Sequence, residues 1–234
     1  MLELENVSVR FGGLTAVNDV TLKIGSHDVI GLVGSNGAGK TTLFNAISGL
    51  VRPTEGRIRF DGQDVLRAPM YRRARLGIGR TFQVPQPMHE LTVRENLLVA
   101  QRFGTGRVDQ KKIDEILDFT SLAGKAERDA ATELALTELK ALEVAKALAT
   151  DPQLLLLDEV LAGLETTGKR RFMGMLRDLH TKFGVGIVMI EHDIETISAL
   201  CPRVAVLNFG QLIADGTPEA VFRDPAVIKS YTGA

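Results

Sequence analysis

An α/β fold built on a mainly parallel sheet is what this sequence predicts, and three observations predict it. Short apolar runs at 29–33, 154–157 and 186–190 read as buried strands, and segments with helical spacing separate them. Each run delivers polar residues at its C-terminal end: a glycine-rich turn, then Asp158-Glu159, then Glu191-His192-Asp193. Ligands of parallel sheets gather at that end of the strands. With 234 residues, 44% of them hydrophobic, the chain is long enough to bury a real core.

The turn after the first run reads Gly34-Ser35-Asn36-Gly37-Ala38-Gly39-Lys40-Thr41-Thr42. Gly34 to Thr41 fits G-x-x-x-x-G-K-[ST], the phosphate-binding loop. Glycines without a Cβ let the backbone wrap closely and point successive N–H groups inward. A helix beginning near Gly39 adds its positive dipole end at the same point. Lys40 supplies a full charge for the β- and γ-phosphates, and the Thr41 hydroxyl is placed to ligate Mg²⁺. The stretch reads as a nucleotide-triphosphate site.

Composition narrows the class. A formal net charge of −1 gives no global field for nucleic acid or an anionic membrane. The lone cysteine, Cys201, cannot form an internal disulfide, which suits a reducing compartment. The apolar runs are far shorter than the roughly 20 residues of a membrane span. Met1-Leu2-Glu3-Leu4-Glu5 lacks a cationic leader pattern, so a soluble, cytosolic chain is expected.

In chain order, residues 2–11 read as a strand. Leu2/Leu4 and Val7/Val9/Phe11 fall in opposite phases, which predicts a bulge near Glu5-Asn6. Val20, Leu22 and Ile24 alternate in a second strand, and the pair suggests an antiparallel flap. Leu43, Phe44 and Ile47 give the helix after the loop one apolar face, with Gly49 and Pro53 to stop it. Asp61-Gly62 marks a hairpin. The cluster Arg72, Arg73 and Arg75 reads as a solvated helix face in preference to an anion site. Residues 77–83 read as a core strand ending on Gln83, because Pro85 and Pro87 bar a regular helix there.

Helical spacing covers 92–102, 108–122 and 139–149. About 85–150 therefore reads as a helical sub-lobe inserted into a core of 1–84 and 151–234, the whole chain making one domain. A helix over 166–182 follows, then a hairpin about Phe209-Gly210. Thr217-Pro218 and Asp224-Pro225 each read as an N-cap with proline in the first helical position.

Four leucines before Asp158-Glu159 make a dry strand that fixes two carboxylates without competing water. Asp158 would hold Mg²⁺ through its water shell. Glu159 would orient or deprotonate the attacking water. His27, His89 and His180 match nothing and read as surface or core residues.

These residues make the chain similar, along nearly its whole length, to the ATP-binding subunit of an ABC transporter. Gly34 to Thr42 resembles the Walker A motif, Leu154 to Glu159 Walker B, Gln83 the Q-loop glutamine and His192 the switch histidine. Phe11 falls where the family's adenine-stacking aromatic lies, a core aromatic being the alternative, and Val17 joins the nucleotide-binding set. Ala162-Gly163-Leu164, Gly79-Arg80-Thr81-Phe82-Gln83 and Asp215-Gly216-Thr217-Pro218 most resemble the branched-chain amino-acid importers.

The resemblance implies a P-loop NTPase with a RecA-like core, a β flap and a helical lobe. It implies ATP and Mg²⁺ as cofactors, with Thr41, Gln83 and Asp158 at the metal. Glu159, His192 and Gln83 become the catalytic set, His192 meeting the γ-phosphate and the attacking water. The implied partners are a second ATPase subunit in a homo- or heterodimer, membrane permease subunits and, indirectly, a solute-binding protein. The implied location is the cytoplasmic face of the inner membrane. Relatives of this kind also serve other solutes or lipid-linked cargo, or act as soluble regulators; one ATP-binding domain and near-neutral charge argue against nucleic-acid handling.

The resemblance breaks at the signature motif, L-S-G-G-Q or L-S-Y-G-E in the family, where this chain has Leu134-Ala135-Leu136-Thr137-Glu138. Ala135 replaces a serine that would donate to the γ-phosphate bound by the opposite subunit. Thr137 replaces a glycine whose backbone approaches it, with added strain if φ is positive there. Val160 and Glu165 stand where proline and asparagine or aspartate are usual. The expectation is an asymmetric heterodimer, in which only the partner's ATP meets the altered stretch. The plainer alternative is that a backbone amide and the helix dipole suffice, and both sites turn over.

Overall fold

The computed structural model describes residues 1–232. The chain runs β1 (Leu2–Phe11), β2 (Leu14–Ile24), β3 (Val29–Val33), α1 (Lys40–Ser48), β4 (Glu55–Phe60), β5 (Gln63–Asp64), α2 (Met70–Arg75) and β6 (Ile78–Arg80). Then come α3 (Val93–Thr105), α4 (Gln110–Phe119), a 3₁₀ turn (Ala123–Lys125), α5 (Leu136–Ala149), β7 (Leu154–Asp158) and α6 (Thr166–Phe183). The last elements are β8 (Gly186–Ile190), α7 (Ile194–Leu200), β9 (Arg203–Asn208), β10 (Gln211–Gly216), α8 (Pro218–Val221) and α9 (Pro225–Thr232). Contacts divide them into two units: Met1–Arg73 with the chain from Gly186 onward, and Ala74–Val185.

In the first unit, β2-β1-β4-β5 form an antiparallel sheet, the flap that the alternating strands suggested. The bulge is there too. Asn6 turns to φ 50, the register shifts between Leu4 and Val7, and the Asn6 amide donates to Asp19 Oδ1 at 2.8 Å. That switch keeps Leu2, Leu4, Val7 and Val9 all buried. In the other sheet β3 runs parallel to both β8 and β9, and β10 returns antiparallel to β9.

Of the arginine cluster, Arg72 and Arg75 are exposed as a solvated face requires, and Arg73 is the exception. Arg73 is buried and donates to the carbonyls of Ala46 at 2.6 Å and Ile47 at 2.7 Å, and to those of Leu66 and Ala68. It therefore satisfies the last turn of α1, whose carbonyls have no helical partner. Burial lowers its pKa to about 10, with Asp64 opposing.

In the second unit β6 pairs in parallel with β7, which is buried at every position. Full burial of each leucine is worth about 1.5–3 kcal/mol. The strand expected over 77–83 stops at Arg80, because the next residue bonds through its side chain as well as its backbone. Thr81 N–H donates to Leu156 O at 2.9 Å, and its hydroxyl accepts from Asp158 N–H at 3.0 Å. The segment leaves the sheet yet stays fastened to the end of β7.

The helical spacing of 92–149 is realised as α3, α4 and α5. Thr92 caps α3, its hydroxyl accepting from Glu95 N–H at 3.1 Å while the Glu95 carboxylate accepts from Thr92 N–H at 2.8 Å. α5 is buried on most faces, two charged residues included, Lys140 and Glu143. Thr137 lies in its first turn with helical backbone, so its Cβ brings no left-handed strain. Phe172, Leu176 and Leu179 give α6 its buried stripe.

Candidate functional site

Each unit carries one constellation. In the first, the chain turns out of β3 at Gly34 (φ 148) and enters α1 through Gly39 (φ 103). A Cβ on Gly34 would sit 2.1 Å from Leu207 O, and one on Gly39 2.3 Å from Ala16 O. Both obstacles are backbone, so neither position tolerates a side chain. Gly210 fastens the loop from behind: its N–H donates to Ala38 O at 2.9 Å and its carbonyl accepts from Asn18 N–H at 2.8 Å.

Lys40 is buried and folds back over the turn, its ammonium donating to Gly34 O at 2.7 Å and Ser35 O at 3.0 Å. A full positive charge thus joins the start of α1. Asn36, Gly37 and Thr41 are exposed, while Ser35 and Thr42 are half-buried. Val17 is buried in β2, and Phe11, at the end of β1, leaves 50% of its surface exposed. His192 is exposed, two residues beyond β8. Tyr231 of α9 comes against Gly34; burial raises its phenol pKa, and a hydrogen bond with the Gly34 backbone opposes the rise.

In the second unit the end of β7 gathers Gln83, Asp158 and Glu159. Gln83 Nε2 donates to Glu159 Oε2 at 2.6 Å. Glu159 holds φ 49, a conformation that costs a non-glycine residue about 1 kcal/mol or more. Asp158 is 2% exposed, and its Oδ2 accepts from Arg80 Nη2 at 3.2 Å. Its Oδ1 is buried with no hydrogen-bond partner among the described residues. Burial pushes the Asp158 carboxyl up; Arg80 most, and Lys140 less, pull it back, while Glu159 adds to the rise. The Arg80 guanidinium also lies 5.0 Å from the centre of the Phe82 ring.

Two members of this cluster were not singled out from sequence. Arg80 lies inside a run read as a core strand and as a family resemblance but given no role of its own, and Lys140 is one polar residue in an apolar helix. The altered signature opens α5, with Ala135 as N-cap in extended conformation (φ −72, ψ 163). The Glu138 carboxylate accepts from Ala135 N–H at 2.9 Å and from Lys125 Nζ at 2.7 Å. Leu136 is exposed.

A phosphate loop that opens a helix at the end of a parallel strand defines a nucleotide-binding protein of the P-loop class. The family described as ABC transporter matches residues 17–162, and one described as branched-chain amino acid ATP-binding cassette transporter matches 211–234. The high-affinity branched-chain amino acid transport ATP-binding protein BraF of Pseudomonas aeruginosa is 38% identical, the match covering 100% of this chain and 98% of BraF. The lipopolysaccharide export system ATP-binding protein LptB of Haemophilus influenzae is 34% identical, over 100% of this chain and 97% of LptB. Among solved structures, the ADP conformation of MJ1267, an ATP-binding cassette of an ABC transporter, aligns with a TM-score of 0.89 at 31% identity, over 100% and 99% of the two chains. The chain belongs to the ATP-binding subunits of ABC transporters, which hydrolyse ATP. Among the described residues, no helix is long and apolar enough to cross a membrane.

Proposed function

We propose that the chain powers an importer of branched-chain or related amino acids from the cytoplasmic face of the inner membrane. It would pair with a second ATPase subunit, drive membrane permease subunits and depend indirectly on a solute-binding protein. The solute class rests on the match of 211–234 and on the name of BraF. The observation that carries the hydrolytic reading is the 2.6 Å bond from Gln83 to Glu159, beside the bare Asp158 Oδ1.

The backbone N–H groups of Ser35 to Thr42, with the Lys40 ammonium, would hold the β- and γ-phosphates, Phe11 and Val17 lying toward the base. The residues present fit Mg²⁺, a hard cation that takes oxygen ligands and keeps several waters. Thr41, Gln83 and Asp158 would hold it, and the buried, unpartnered Asp158 Oδ1 is an acceptor suited to a metal-bound water. Bound there, Mg²⁺ would neutralise charge on the β- and γ-oxygens. Glu159, its carboxylate steadied by Gln83, would orient the attacking water and take its proton. His192 would hydrogen-bond the γ-phosphate. Across the dimer, Ala135, Leu136, Thr137 and Glu138 offer the N-terminus of α5 to the partner's nucleotide.

Isolation of the chain from native membranes with its bound subunits tests the transport reading: a permease and an amino-acid-binding protein should accompany it. Recovery of lipid-export components would replace the importer with the LptB-like reading. For the chemistry, Lys40→Ala should abolish nucleotide binding or turnover, and Glu159→Gln should retain ATP yet stall hydrolysis by about 100-fold or more. A Glu159→Gln protein that turns over normally would mean that the base lies elsewhere.

A further inference from the structure

We propose that Lys140 is a positioning residue for hydrolysis: its ammonium ties the backbone of Gln83 to the backbone of Glu159, and so transmits the placement of α5 to the hydrolytic carboxylate. The inference rests on the roles proposed for Gln83 and Glu159.

Lys140 is only 3% exposed, and its Nζ donates to Gln83 O at 3.0 Å and to Glu159 O at 2.9 Å. The two acceptors lie far from it in sequence, one before the helices of this unit and one after β7. Both are carbonyls whose own residues also meet through their side chains, Gln83 Nε2 on Glu159 Oε2 at 2.6 Å. The contacts close a ring from Lys140 through the Gln83 backbone and amide to the Glu159 carboxylate, and back through the Glu159 carbonyl. Gln83 sits in a stretch without regular structure, and Glu159 holds a left-handed φ of 49. Neither residue lies in helix or sheet; Glu159 O takes one turn bond, from Ala162 N–H at 3.2 Å, and the charge-assisted bonds from one buried cation join the two backbones.

Lys140 also stands one turn into α5, the helix that the altered signature opens. A shift or rotation of α5 moves the ammonium with it and draws on both carbonyls together. A lysine buried for packing alone has no need to reach these two atoms. Its removal strands the Gln83 carbonyl, leaves Glu159 O with only the turn bond from Ala162 N–H at 3.2 Å, and touches no group of the phosphate loop.

The test is ATP hydrolysis by the membrane complex carrying Lys140→Met. Its kcat should fall about 10- to 100-fold, the effect of losing hydrogen bonds to a charged group. KM for ATP and the nucleotide affinity should stay within about twofold, since the phosphate-binding groups are untouched. Lys140→Arg, which keeps several donors, should recover most of the rate. Amide exchange over 82–84 and 159–162 in the nucleotide-free chain should quicken in Lys140→Met and return toward wild type in Lys140→Arg. If Lys140→Met does not fold, Lys140→Gln, too short to span both carbonyls, carries the same expectation. Wild-type kcat, or a loss expressed wholly in KM, overturns the tie. Glu159→Gln run alongside separates the two readings: if it turns over normally the hydrolytic assignment falls, whereas if it stalls beside a fully active Lys140→Met only the tie falls.

Discussion

The turn at Gly34 to Thr42 and the start of α5 are the two places proposed to meet phosphate, and they are built by opposite means. The first is a backbone device. Gly34 and Gly39 adopt φ angles of 148 and 103, with backbone oxygens where side chains would go. The second is an ordinary helix start: Ala135 extended, Thr137 helical, and a glutamate closing the first turn. A shape imposed by the backbone leaves little freedom in sequence. A shape that any helix can supply accommodates Ala135 and Thr137 without strain, although alanine at the N-cap offers no hydroxyl donor.

Gly34→Ala should break the comparison most severely. The new Cβ would meet Leu207 O at 2.1 Å, which forces the exit from β3 to move. Stability should fall by about 2–4 kcal/mol, the range for a strained backbone position with an added clash. Nucleotide affinity should drop with it, as measured by urea unfolding and by titration with a fluorescent ATP analogue. Wild-type stability and affinity together would show that the loop is less constrained than its glycines require.

Ala135→Ser sharpens the contrast from the other side. A serine at this N-cap should stabilise α5 by about 1 kcal/mol. If the missing donor limits turnover of the partner's ATP, it should also raise kcat/KM at that site about tenfold, the worth of one hydrogen bond to a charged group. Mixed dimers with Glu159→Gln on one chain at a time identify which site responds. Equal loss from either side, with no gain from Ala135→Ser, would end the asymmetric reading and favour two working sites. Thr137→Gly should bring no gain, because φ there is already helical and a glycine relieves no strain.

The same division explains what could be read from the sequence. The loop was legible because glycine identity reports backbone shape, and β7 because four leucines in a row have few alternatives to full burial. The bulge at Asn6 was legible from a change of phase, and the loop at Gln83 from the prolines after it. Long-range side-chain ties were not. Arg73 looked like part of a charged face, yet it reaches back to the last carbonyls of α1. Arg80 and Lys140 bond to groups brought near only by the pairing of β6 with β7 and the packing of α5. No periodicity encodes such partners, and buried charges at strand and helix ends look local until the fold is known.

The smallest effect concerns what holds the start of α5. Glu138 keeps a carboxyl pKa below its usual value: burial opposes this most, but the bonds from Lys125 and the Ala135 N–H prevail. A group whose folded pKa is depressed contributes stability above its unfolded pKa and loses it as pH falls through the folded value. The first turn of α5 should therefore weaken in acid, starting near the ordinary glutamate range of about 4.3. The carboxylate is partly solvated, so solvent screening keeps the effect to about 0.5 kcal/mol. Glu138→Gln should lose that much at pH 7 and show a flatter stability profile below pH 5, because the amide oxygen still accepts from Ala135 N–H but carries no charge for Lys125. Chemical denaturation of both proteins at several pH values reads the difference directly. Parallel profiles for the two would mean that the Lys125 pair adds nothing, leaving the helix start to the Ala135 bond alone.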